Sequence, residues 1–170
     1  MERTGIITFQ GNPLTLLGDP VEEGRQAPDF TVLANDLTPR TLASYPGAVL
    51  IFSVVPSLDT GVCDLQTRRF NSEAANLGEA VRVLTISCDL PFAQARWCGL
   101  AGANRLETLS DHFSLSFGLA YGLVIKELRL LTRALFVVNT SGRITYSEIV
   151  PEVTSPVNFV AALEAARAAD

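Results

Sequence analysis

The sequence predicts an α/β fold built on a mixed β-sheet flanked by helices, and three observations carry that expectation. Two runs, "AVLIFSVV" (48–55) and "VRVLTIS" (81–87), are apolar and rich in β-branched residues over strand length, as strands buried on both faces are. Each precedes a stretch of helical character, which is the pattern of parallel strands joined by crossovers. Near the end, "ALFVVN" (134–139) and "SGRITYSEIV" (141–150) flank a turn at Thr140-Ser141-Gly142 and predict an antiparallel hairpin, which makes the sheet mixed.

Taken in order, "GIITFQ" (5–10) and "PLTLL" (13–17) predict an opening β-hairpin with Gly11-Asn12 in the turn, where positive φ is cheap. Pro13 suits an edge strand, since its missing N–H costs no pairing there. "DFTVLAND" (29–36) reads as a short strand closed by a turn. The run 48–55 is bounded by Pro46-Gly47 before it and Pro56 after it. From Asp64 to Leu77, Leu65, Phe70, Ala74 and Leu77 recur at roughly helical spacing. "DLPFAQARWCG" (89–99) predicts a second helix with Asp89 as cap, Pro91 in the first turn and Gly99 as stop. Residues 106–131 read as loops around a short helix in "FSLSFGLAYGL" (113–123). "SPVNFVAALEAARAA" (155–169) closes the chain as an amphipathic helix, with Ser155 as cap and Pro156 at its first position. No repeat or linker divides the 170 residues, so residues 1–170 are expected to form one domain. The element order resembles a thioredoxin-like domain with a β-hairpin extension at its N-terminus.

The composition narrows the function classes. At 48% hydrophobic and 18% charged residues the chain is globular and not disordered. A net charge of −5 and no basic run beyond "TRRF" and "LRLLTR" argue against a nucleic-acid surface. "MERTGIITFQGNP" lacks a basic region followed by a long apolar one, so neither a signal peptide nor a membrane helix is expected, and the cytoplasm is the expected location. Three cysteines, an odd count, do not suit a stapled secreted scaffold. In a reducing compartment a cysteine is either a small buried residue or a working thiol.

The segment "PSLDTGVCDLQTRRF" (56–70) makes that choice concrete. Pro56 ends a strand, Asp59 or Thr60 can cap the helix that follows, and Cys63 falls at its first turn. Free N–H groups and the positive end of the helix dipole favour an anion there, and the thiolate is the nucleophilic form of cysteine. Thr60 stands one turn earlier, so its hydroxyl can face the sulfur, and Pro56 can wall the site without adding a donor. The carboxyl end of a parallel strand is also where α/β sheets carry sites. A lone cysteine is commonly a buried small residue, however, and the residues by themselves leave both readings open. Cys98, beside Trp97 and Gly99, sits where a core cysteine is unusual, and a disulfide to Cys63 would close a loop of moderate length. Cys88, at a strand end, reads as a structural residue. There is no C-x-x-C pair and a single histidine, His112, so a zinc site or a dithiol redox motif is not expected. A cysteine hydrolase using His112 as base lacks an accompanying oxyanion-hole motif.

"PSLDTGVC", "DLPFAQARWCG", the opening "FQGNP" and the later "TRALFVVN" closely resemble the bacterial thiol peroxidases, a branch of the atypical two-cysteine peroxiredoxins. The similarity runs over nearly the whole chain. The resemblance implies Cys63 as peroxidatic cysteine, Cys98 as resolving cysteine of the same chain, and Pro56 and Thr60 as the rest of the signature. It also implies Arg133 as the active-site arginine, with Arg129 as the rival position. It further implies reduction of hydrogen peroxide and alkyl hydroperoxides through a cysteine sulfenic acid and an intramolecular disulfide, reduction of that disulfide by thioredoxin, a homodimer, and no cofactor or metal. Two thiols on separate helices imply local unwinding in each cycle, eased by Gly61 and Gly99. Cys88 stays open as a competing partner. The alternative is a non-enzymatic redox sensor of the same fold that uses the same thiolate.

Overall fold

The computed structural model describes residues 1–169. The strands are β1 (Glu2–Phe9), β2 (Asn12–Leu17), β3 (Val32–Leu33), β4 (Pro39–Arg40), β5 (Val49–Val54), β6 (Val81–Ser87), β7 (Glu107–Ser110), β8 (Val124–Ile125), β9 (Leu130–Leu131), β10 (Ala134–Val138) and β11 (Ile144–Ile149). The helices are α1 (Gly61–Ala74), α2 (Pro91–Ala101), α3 (Ser116–Ala120) and α4 (Phe159–Arg167). A seven-stranded sheet runs in the order β11-β10-β5-β6-β7-β3-β4, with β5, β6 and β7 parallel and the remaining pairs antiparallel. The opening hairpin β1-β2 continues through β8 and β9 into a second, four-stranded sheet.

The period-two alternation of the central strands divides the core into two layers. Leu50, Phe52 and Val54 of β5, with Ala134, Phe136 and Val138 of β10, face one side, where Phe30, Phe117 and Tyr121 complete an aromatic cluster. Val49 and Ile51, with Leu135 and Val137, face the other side, against Phe70 of α1 and Ala162, Leu163 and Ala166 of α4. Arg133 directly precedes β10 and falls in phase with Leu135 and Val137. The same alternation therefore turns it towards α1, and the pairing of Ala134 with Val54 sets it beside the end of β5. This registry brings a side chain from late in the chain to the helix start that carries Cys63.

Several boundaries differ from the sequence expectation, each for a local reason. The first hairpin turns at Gln10-Gly11, both at positive φ (51° and 79°), one residue before the expected turn, because Phe9 pairs with Asn12. Pro13 is in an inner strand of the small sheet, but β8 pairs only with Leu16 and Leu17, so Pro13 lies beyond that ladder. Gly99 lies inside α2, which ends instead at Gly102, a residue in the left-handed conformation with φ 63°. Asp89 is not the cap of α2. Its carboxylate accepts from Ser57 Oγ, Leu58 N and Ser87 Oγ, tying the end of β5 to the end of β6. α4 begins at Phe159 with Asn158 as cap, its Oδ1 accepting from Ala161 N, so Ser155 and Pro156 precede the helix. Leu65, expected on the inward face of α1, is 68% exposed.

The aromatic cluster fastens α3 to the main sheet. The Phe117 ring stacks 4.2 Å from Tyr121 and meets Phe30 and Phe52 edge-on. Phe117→Ala should therefore cost about 4 kcal/mol of unfolding free energy, measured by urea denaturation of the reduced protein. A loss below about 1 kcal/mol would mean that the cluster collapses onto the cavity or matters little.

Candidate active site

Thr60 is the N-cap of α1, with an extended backbone (φ −101°, ψ 144°), and its carbonyl accepts from Asp64 N at 2.9 Å. The Thr60 hydroxyl is therefore free to turn inward, and Oγ1 lies 2.6 Å from Cys63 Sγ and 3.0 Å from the Ser57 carbonyl. Cys63 is the third residue of α1, in the turn where backbone N–H groups and the dipole favour negative charge, and it is wholly buried. Pro56 lies two residues beyond β5 and is buried.

Arg133 reaches this point from the opposite side. Its guanidinium is buried and donates in three directions: Nε to the Val153 carbonyl at 2.8 Å, Nη1 to Gln66 Oε1 at 2.7 Å, and Nη2 to Cys63 Sγ at 3.3 Å. Among the described residues no carboxylate comes within ion-pair distance of it. The sulfur thus has a hydroxyl on one side and a cation on the other. Arg129, the rival arginine, sits exposed in the β8–β9 turn at φ 56°. His112 lies beside Ser110, with Nδ1 2.9 Å from its hydroxyl. No hydrogen bond links it to Cys63 among the described residues.

Gln66 is a site residue that the sequence reading missed. It holds Arg133 Nη1 with its carbonyl while its amide donates to Ser53 Oγ of β5 at 2.8 Å. The available signal was the inward face of α1 itself: Cys63, Gln66, Thr67 and Phe70 all point into the protein, and two polar residues at core-facing positions need a partner. Thr67 supplies its own, donating to the Cys63 carbonyl at 2.8 Å.

None of the three cysteines is in a disulfide. Cys98 is half-buried on α2, and its sulfur faces Thr108 Oγ1 of β7 at 3.4 Å. A 280 Å³ cavity lined by Cys98, Thr108, Asn35, Arg40 and Glu107 opens there. Cys63 and Cys98 border one small apolar cluster with Val55, Leu58, Trp97 and Ala103, but their sulfurs are held by different partners. Cys88 is different in kind. Burial, reinforced by the nearby Asp111 carboxylate, pushes its thiol up to about 12.

The Redoxin family model matches residues 22–163. A thiol peroxidase of Halalkalibacterium halodurans is 61% identical over 163 residues, covering 96% of this chain and 98% of that protein. A thiol peroxidase of Bacillus subtilis is 59% identical over 162 residues, covering 95% and 96%. The crystal structure of a peroxiredoxin-like protein from Aquifex aeolicus superposes with a TM-score of 0.90 at 33% identity, over 99% of this chain and 98% of that one.

Because only the thiolate reacts, a Cys88 thiol raised this far should alkylate slowly near neutrality. In a Cys63→Ser/Cys98→Ser protein, its rate with iodoacetamide should climb about tenfold per pH unit from pH 7.5 to 9.5 without levelling. A plateau within that range would contradict the burial argument.

Proposed function

The chain belongs to the Redoxin family and is a thiol-dependent peroxidase, and we propose that Cys63 is its peroxidatic cysteine, Cys98 its resolving cysteine, and Thr60, Arg133 and Pro56 the residues that complete the site. The observation that carries this reading is the convergence of the Thr60 hydroxyl and the Arg133 guanidinium on one buried sulfur. Both donors face the sulfur, and both can turn to the peroxide oxygens as charge moves onto them.

In the first step the Cys63 thiolate attacks one peroxide oxygen. An S–O bond forms, the O–O bond breaks, and the departing alkoxide or hydroxide takes a proton to leave as alcohol or water. In the second, the Cys98 sulfur attacks Cys63–SOH. The S–S bond forms, the S–O bond breaks, and hydroxide leaves with the Cys98 proton as water. A dithiol reductant then returns both cysteines to thiols, and thioredoxin is the proposed donor. Cys88, held protonated, takes no part.

Hydrogen peroxide and alkyl hydroperoxides are the proposed substrates. A 460 Å³ cavity lined by Val62, Leu65, Gln66 and Arg69 of α1, by Pro156 and by Phe159 at the start of α4 is mostly apolar and suits an alkyl tail. Among the described residues no helix is long and apolar enough to cross a membrane. The cytoplasm is proposed as the location because the cycle needs thiols that are returned to the reduced state. A homodimer is proposed from the likeness to the thiol peroxidases.

One equivalent of hydrogen peroxide added to the reduced protein should give a Cys63–Cys98 disulfide in non-reducing peptide maps, and thioredoxin should remove it. Cys88→Ser should turn over normally. Arg133→Met should lower the second-order rate with peroxide by about 100-fold or more. Three thiols left unreacted, or a Cys63–Cys88 linkage, would overturn these assignments.

A further inference from the structure

The two helices that carry the reactive cysteines are fastened to each other by a small polar cluster that the chemistry above does not use. Trp97 Nε1, on α2 next to Cys98, donates to Asp64 Oδ1, on α1 next to Cys63, at 2.9 Å. Arg68, one turn further along α1, donates through Nε to both Asp64 oxygens at 3.0 and 2.8 Å. Its guanidinium also lies over the indole, 5.5 Å from the ring centroid, and Nη1 reaches the Ala101 carbonyl in the last turn of α2 at 3.5 Å. Trp97 is only 8% exposed, so its N–H has little water to fall back on.

We propose that Asp64, Arg68 and Trp97 form a clasp whose release sets how fast Cys98 reaches oxidised Cys63, and so how that sulfur divides between disulfide formation and further oxidation. The inference rests on the roles given to Cys63 and Cys98 above. Its physical basis is adjacency. Cys98 Sγ is turned to Thr108, and Cys63 Sγ to Thr60 and Arg133, so joining them requires the last turns of α2 to leave their places. Trp97 is the chain neighbour of Cys98 and moves with it, which breaks the bond to Asp64.

The other end of α2 is pinned. Gln94 Nε2 donates to Ser87 Oγ at 3.0 Å and to the Leu109 carbonyl at 2.9 Å, which fixes the first turn to β6 and β7. Unwinding is thereby confined to the residues after Gln94, where Gly99 weakens the helix and the clasp adds to the apolar packing of Trp97 and the Cys98–Thr108 contact in holding it. While the clasp is closed, Cys63–SOH waits. A second hydroperoxide can then add another oxygen to the same sulfur, breaking its own O–O bond and leaving as alcohol or water, to give the sulfinic acid. A tight clasp favours that branch, and a loose one favours the disulfide.

Arg68→Gln and Trp97→Phe each weaken the clasp without touching Thr60, Cys63 or Arg133. Rapid quench of the reduced protein with hydrogen peroxide, followed by mass spectrometry, separates sulfenic acid, disulfide and sulfinic acid. Both variants should form the sulfenic acid within about twofold of the unmodified rate. They should form the disulfide about fivefold faster, as expected for loss of one net hydrogen bond. The peroxide concentration that drives half of Cys63 to sulfinic acid should rise by the same factor. Circular dichroism identifies a variant that has lost its fold, and the other variant then carries the test. An unchanged or slower disulfide step at normal sulfenic acid formation would overturn the clasp while leaving the cysteine roles intact. Absence of any Cys63–Cys98 disulfide in the unmodified protein would overturn those roles and the clasp together.

Discussion

A guanidinium buried without a carboxylate is the constraint on which the rest of this structure depends. Taking an arginine out of water costs several kcal/mol unless its donors and its charge are met. Arg133 meets the donors with a carbonyl, an amide oxygen and a sulfur. Among the described residues the only group within hydrogen-bonding reach that can carry a negative charge is Cys63. The guanidinium and the sulfur are therefore packed as partners, and in the proposed reaction the contact that completes the burial of Arg133 is also the one that faces the proposed nucleophile.

Much of the surrounding architecture keeps those two groups facing each other. The β5–β10 register sets Arg133 beside the end of β5, and Gln66 braces it from α1 while anchoring to Ser53. The third contact, the Val153 carbonyl, belongs to the segment after β11, and the opening hairpin holds that segment. Thr8 N donates to the Pro151 carbonyl at 2.7 Å, and Val153 N donates to the Thr8 carbonyl at 2.9 Å. The Glu152 carboxylate accepts from Thr8 Oγ1, Gln10 N and Gly11 N, and hydrogen bonds from Thr154, Thr8 and Gly11 hold it well below the usual carboxylate range. The hairpin tip thus supports the site from a distance, through one carbonyl.

The parts legible in the sequence are those fixed by strong local signals. Continuous apolar runs marked the buried strands, and a proline, a capping threonine and a cysteine marked the helix start at the sheet edge. The parts that were not legible are set by tertiary contacts. Gly99 looks like a helix stop, but only Gly102 adopts the left-handed conformation, because the chain turns there. Asp89 looks like a cap, yet two strand ends compete for its carboxylate and win. Leu65 looks inward because the true inward face of α1 carries Gln66 and Thr67, polar residues that make sense only once Arg133 and Ser53 are brought opposite. Arg133 itself could be placed from the residues only by likeness to a family, since no local pattern says which arginine a sheet register will bury.

The most direct measurement is a double-mutant cycle on Cys63 and Arg133, read as the unfolding free energy of the reduced protein near neutral pH. If the Cys63 sulfur is the partner that balances the buried guanidinium, Cys63→Ser should be strongly destabilising with Arg133 present and much less so in Arg133→Met, a coupling of about 1.5 kcal/mol or more. Additive effects, within about 0.5 kcal/mol, would mean that the two groups are neighbours without being partners.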